Sequence, residues 1–69
     1  MKMAKICSTV SGRVNMRKTP AIDNRYKIVA YLHAGDQLTV HSTGQGDGTW
    51  SYCTYGENVG YIKSEFICG

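Results

Sequence analysis

The chain has 69 residues, a formal net charge of +3 and 42% hydrophobic residues, among them five tyrosines, one tryptophan and one phenylalanine. A chain this short forms one domain at most and buries only about 60% of the surface its unfolded form exposes. That excludes a second core and leaves little room for the deep polar cleft of an enzyme. The charge is uneven: residues 1–27 carry seven basic side chains against Asp23, a net +6, while residues 28–69 carry Lys63 against four acids, a net −3. Such asymmetry points either to an acidic partner for the first part of the chain or to a solvated basic loop.

Residues 1–7, Met1-Lys2-Met3-Ala4-Lys5-Ile6-Cys7, lack the apolar h-region of a signal peptide. They read as an N-terminal extension or a first strand ahead of a domain over 8–69. Val14 and Met16 then alternate with Asn15 and Arg17, the period of two that marks a strand with one buried face. A polar, basic loop containing Pro20 runs from Arg17 to Tyr26. Long loops in compact domains are often functional. Ile28, Ala30 and Leu32 alternate with Val29, Tyr31 and His33. The apolar run there, residues 28–32, is far short of the ~20 residues a membrane span requires.

Ala34-Gly35-Asp36 forms a tight turn into a strand with Leu38 and Val40 inward. Residues 42–49 read as a glycine-rich hairpin loop. Ser51, Cys53 and Tyr55 alternate with Trp50, Tyr52 and Thr54 before a second hairpin turn at 56–59. With Glu57 and Asn58 at its tip, Cys53 faces Ile62 on the core side. Tyr61 falls on the outer side, diagonal to Tyr52. No stretch of ten or more residues repeats apolar positions at helical spacing. The expected class is all-β, a small barrel of five to seven short antiparallel strands.

This register puts Trp50, Tyr52 and Tyr61 outside a core that 69 residues cannot duplicate. Flat exposed aromatics bind sugar faces or extended peptides, so these three lead the candidate contacts. Tyr26 and Tyr31 border the same groove, and Arg17 is placed to pair with a carboxylate. The alternative is that the aromatics pack against the long loop or one another. Asn15 reads as a side chain that holds loop backbone in place.

The cysteines are Cys7, Cys53 and Cys68. An odd count argues against a disulfide framework, and no C-x-x-C pair offers a zinc site. Cys53 reads as a small buried hydrophobe. His33 and His41 flank the Gly35 turn on outward positions, but their spacing supports no metal site. Neither a cofactor nor a catalytic residue is expected.

Taken in order, the landmarks resemble the bacterial SH3-like (SH3b) domain over roughly residues 8–68. Val14-Asn15-Met16-Arg17 followed by Pro20 matches the opening strand and loop. Residues 27–40 match the strand, Gly-Asp turn and strand. Trp50-Ser51-Tyr52-Cys53 matches the Trp-x-x-apolar strand, and Gly60-Tyr61-Ile62 with Ser64-Glu65-Phe66-Ile67 the close. Tyr61 replaces the usual tryptophan and Cys53 the usual valine. The resemblance implies an SH3-like barrel topology. It also implies a non-catalytic targeting module that recognises cell-wall peptidoglycan or its peptide parts. Such modules sit beside a parent catalytic domain in cell-wall hydrolases, endolysins and other envelope proteins, at the cell envelope or outside it.

The first and last strands of such barrels lie near each other, so a Cys7–Cys68 disulfide stands beside three free thiols as an alternative. A second functional reading is a protein-interaction module that docks a peptide or neighbouring domain. Nucleic acid is not expected, because the basic first third is offset by an acidic remainder and no RNA-binding motif appears.

Overall fold

The computed structural model describes residues 2–7, 12–20 and 28–68. Seven strands form one antiparallel sheet: β1 (Lys2–Ile6), β2 (Val14–Arg17), β3 (Ile28–Leu32), β4 (Gln37–Gln45), β5 (Trp50–Tyr55), β6 (Asn58–Lys63) and β7 (Ile67–Cys68). Their order across the sheet is β3-β2-β6-β5-β4-β1-β7. The molecule measures 25 × 25 × 22 Å. A flat sheet would be only about 10 Å thick, so the sheet curls into the small SH3-like all-β barrel that the alternation implies. No helix of the described residues is long and apolar enough to cross a membrane.

The core follows directly from the period of two. Ile6, Val14, Met16, Leu32, Leu38, Cys53 and Ile62 are all at most 3% exposed. They come from β1 to β6, and Ala30, Val40, Tyr55, Phe66 and Ile67 pack against them. Full burial of one large aliphatic side chain is worth about 1.5–3 kcal/mol. In a domain this small each of these positions therefore matters to whether the chain folds at all.

The β5–β6 hairpin differs in register from the sequence expectation. Its turn is Gly56-Glu57, and Tyr55 pairs with Asn58, Cys53 with Gly60 and Tyr52 with Tyr61. Gly56 has φ of +61° and Glu57 does not enter the left-handed region. A glycine at the first of two turn residues is the arrangement of a type II′ hairpin, whose twist suits antiparallel strands. The slip is two residues, so each side chain keeps its face. Cys53 and Ile62 remain inside, and the two tyrosines become directly opposed instead of diagonal.

Two other boundaries shift. β4 continues to Gln45, with irregular register against β5, so the expected loop over 42–49 shrinks to a turn at 46–49. At its tip Asp47 Oδ1 accepts hydrogen bonds from the Thr49 amide (3.1 Å) and hydroxyl (2.6 Å). These bonds, with a smaller contribution from Lys63, hold the Asp47 carboxyl below its ordinary range. The closing segment Ser64–Ile67, which the resemblance implies to be a short strand, is a 3-10 turn, Ser64–Phe66, followed by the two-residue β7. The Ser64 amide reaches the Thr49 carbonyl at 2.8 Å, which satisfies its backbone through the neighbouring loop instead of a strand partner.

The odd cysteine count did not prevent a bridge. Cys7 and Cys68 form a disulfide with Cα atoms 5.4 Å apart, within the range a disulfide spans. β1 and β7 are already neighbours, with Lys5 opposite Cys68 and Ile6 opposite Ile67. Cys53 is the free thiol, fully buried. Burial pushes its pKa up to about 11.

Two predictions follow from the cysteines. The bridge closes a loop of 61 residues in sequence separation, which loop-closure entropy values at about 4 kcal/mol. Urea unfolding of oxidised protein should therefore exceed that of reduced protein, or of the Cys7→Ser, Cys68→Ser pair, by roughly that amount. Cys53 is protonated longer in the folded state than in the unfolded chain, where its ordinary value is 9.0. The unfolded state thus releases its proton first, and stability should fall as pH rises from 9 towards 11. Replacing Cys53 with Ala should remove that slope from a pH series of denaturation midpoints.

Candidate functional site

Residues one step out of phase with the core point away from it, and the sheet pairing lines them up. Tyr31 on β3 lies opposite Asn15 on β2, Arg17 on β2 opposite Tyr61 on β6, and Tyr61 opposite Tyr52 on β5. The Tyr52 and Tyr61 ring centroids are 5.0 Å apart at 45°. The His41 ring on β4 follows at 5.6 Å from Tyr52. His41 Nε2 shares a 2.6 Å hydrogen bond with Thr54 Oγ1, and Thr39 donates to Met3 Sδ at 3.3 Å. The result is a belt of aromatic and polar side chains crossing the outside of the barrel from β3 to β1. Tyr52 and Tyr61 are half-buried and Tyr31 is 48% exposed. At the β1 end, Lys2, Met3, Thr39, His41 and Thr54 line a shallow groove of about 410 Å³.

Trp50 behaves differently from its expected place on an exposed plate. It lies on the outer face of β5 yet is only 3% exposed. Gly46, in the turn after β4, lies against both the Pro20 segment and the indole edge. A Cβ added to Gly46 would come within 2.7 Å of the Pro20 carbonyl oxygen, 2.9 Å of Pro20 Cβ and 3.2 Å of Trp50 Cδ1. Lys63 Nζ lies 5.5 Å from the indole centroid, within the range of a cation–π contact. The expected exposed plate therefore does not include Trp50, which is buried.

Beside Trp50 is a concavity of about 170 Å³ lined also by Arg13, Val14, Asn15, Arg17, Lys63 and Phe66. Three cationic side chains face one small space. The Arg13 guanidinium sits 4.3 Å from the Tyr31 ring centroid. Arg17 Nη1 and Asn15 Oδ1 are buried and have no hydrogen-bond partner. Asn15 therefore does not hold loop backbone through its oxygen. Buried polar atoms without partners are uncommon in folded proteins, because each costs about 1–3 kcal/mol of lost hydration.

The sequence candidates thus divide. Arg17, Tyr31, Tyr52 and Tyr61 share the outer belt; Trp50 walls the adjoining concavity from a buried position; Tyr26 lies outside the described residues. Sequence reading missed Arg13 and Lys63. Lys63 was findable, since it shares the strand parity of Tyr61. Met3 was not, because its place on the belt depends on the pairing of β1 with β4. His33 lies off the belt, its Nδ1 3.9 Å from Asp36 Oδ2. Among the described residues no cluster of His, Cys, Asp and Glu is placed to hold a metal ion.

No family model, curated protein or solved structure matches the chain. The site therefore stands on its own geometry.

The packing of Trp50 has a direct optical test, since it is the single tryptophan. Gly46 has φ of +62° and no space for a Cβ. Gly46→Ala should cost about 1–3 kcal/mol from strain and displaced packing. Its fluorescence maximum should move to longer wavelength as the indole gains water, whereas Gly48→Ala, also at positive φ but in open space, should leave the emission in place.

Proposed function

We propose that this barrel is a non-catalytic binding module whose outer belt engages an extended ligand. The observation that carries the proposal is the row of Arg17, Tyr61, Tyr52 and His41 across neighbouring strands, with Tyr31 beside it opposite Asn15, outside a core already complete without them. Tyrosines held by sheet pairing lose little entropy on contact and present both a flat face and a hydroxyl. A row of them suits a linear chain of sugars or peptide better than a compact metabolite. The adjoining cationic concavity favours a ligand that carries negative charge.

The partner we propose is bacterial cell-wall peptidoglycan or its peptide parts, with the barrel acting as the targeting module of a wall hydrolase, endolysin or envelope protein. Support comes from the order of landmarks from Val14 to Ile67, which resembles the bacterial SH3-like domains. Docking of a peptide or neighbouring domain without wall binding is the competing reading, and it draws on the same belt.

Co-sedimentation with purified bacterial walls separates the two. The protein should pellet with walls, and Tyr52→Ala or Tyr61→Ala should weaken retention about tenfold, as loss of a central aromatic contact does, with the melting curve little changed. Failure to co-sediment at any salt concentration would transfer the reading to peptide or domain docking.

A further inference from the structure

We infer that the concavity beside Trp50 is a subsite for a free peptide C-terminus, with the terminal carboxylate on Arg17 and Lys63 and the last amide N–H on Asn15. The inference rests on the proposed binding role and names the ligand group that one part of the surface takes.

Three observations lead to it. The first is the pair of orphaned atoms. Arg17 Nη1 is a donor and Asn15 Oδ1 an acceptor, both buried and both without a partner. They belong to alternate residues of β2 on one face of the strand, and both residues line the concavity. A ligand that satisfies both must present an acceptor and a donor on one side, a short distance apart.

The second observation is charge. Neither Arg17 nor Lys63 forms a salt bridge; among the described residues the ion pair found joins His33 and Asp36. Asp47, at the neighbouring turn, directs its Oδ1 to Thr49. Among the described residues lining the concavity, Arg17 and Lys63 bring positive charge and no carboxylate joins them; Asp47 feels Lys63 only as a small contribution beside its Thr49 bonds. Guanidinium groups bind carboxylates through charge-assisted hydrogen bonds, stronger than those to a neutral carbonyl.

The third observation is size. About 170 Å³ is well below the roughly 300–1,000 Å³ of a pocket for a whole small molecule. It suits one end group of a longer ligand. One extended residue turns its own N–H and C=O to the same side, so a single residue can serve both orphans. A terminal residue does so with a carboxylate in place of a neutral carbonyl, and Arg17 and Lys63 favour that charge. The apolar wall of Trp50, Val14 and Phe66 then receives its side chain.

The test compares N-acetyl-Ala-Ala with its C-terminal amide at millimolar concentration, read by NMR on the oxidised full chain. The probes are the Asn15 and Arg17 amides, the Arg17 Nε–H and the Trp50 indole N–H. The free acid should bind at least about tenfold tighter than the amide, the difference one charge-assisted hydrogen bond supplies. Arg17→Gln and Lys63→Gln should each bring the acid down towards the amide while keeping a dispersed amide spectrum. Equal affinity for acid and amide, shifts that avoid these four signals, or no shift with either peptide would each overturn the inference. Comparing acid with amide in wild-type protein does not depend on any variant folding. Wall sedimentation without acid preference would sink this subsite and leave the proposed function standing. Acid preference without wall sedimentation would sink the wall and leave the subsite.

Discussion

Everything in this barrel depends on how β1 is held, and Ile6 is the point of attachment. Its amide donates to the Asp36 carbonyl and its carbonyl accepts from the Gly35 amide, both at 2.9 Å. Its side chain is buried in the core, its strand partner is Ile67, and the next residue carries the disulfide to Cys68. One residue thus joins the first strand, the middle turn and the last strand. The turn it grips is itself shaped by Asp36, whose Oδ2 accepts from the His33 amide at 2.7 Å. That junction ties the β4-β1-β7 end of the sheet together, and Ile6 shares the core cluster with Leu38. In a domain with so little surface to bury, covalent closure at this point does what a larger core does elsewhere.

The outer belt is a by-product of the same constraint. Short strands with alternate residues inward must turn the other residues outward, and curling the sheet brings outward residues of six strands into one band. The belt is continuous because Tyr52 and Tyr61 are register partners and because Arg17 opposes Tyr61. Gly60 makes this approach possible. A Cβ there would lie 2.6 Å from the Arg17 carbonyl oxygen and 2.9 Å from Met16 Cγ. The closeness of β2 to β6, and with it the concavity under Arg17, requires a residue without a side chain.

How much of this was legible beforehand varied with the range of the interaction. Face assignment was legible at Val14, Met16, Leu32, Leu38, Cys53 and Ile62, because a period of two survives any even slip in register. The tip of the last hairpin was not. Glu57-Asn58 and Gly56-Glu57 give the same faces, and the backbone conformation of Gly56 decided between them. Ser64–Phe66 had strand-like composition, but its backbone found a partner in the Thr49 carbonyl of a distant loop. Trp50 was placed correctly on the outer face and wrongly in solvent. Gly46 meets both Pro20 and the indole edge there, and no local pattern encodes that meeting.

By itself, then, the sequence determined an all-β chain, its inward set, its turn at Gly35, a hairpin turn somewhere within 56–59, and the outward placement of Arg17, Tyr31, Tyr52 and Tyr61. These are consequences of alternation and glycine, which act between near neighbours. The tertiary structure decided what lies beside what: Cys7 against Cys68, Met3 against Thr39, Lys63 against Trp50, and Asn15 and Arg17, each with an orphaned atom, along one concavity. Those depend on the curl of the sheet and on loop closure over long stretches of chain. Such contacts form only when the whole barrel does, because no single strand pair buries enough surface to hold them.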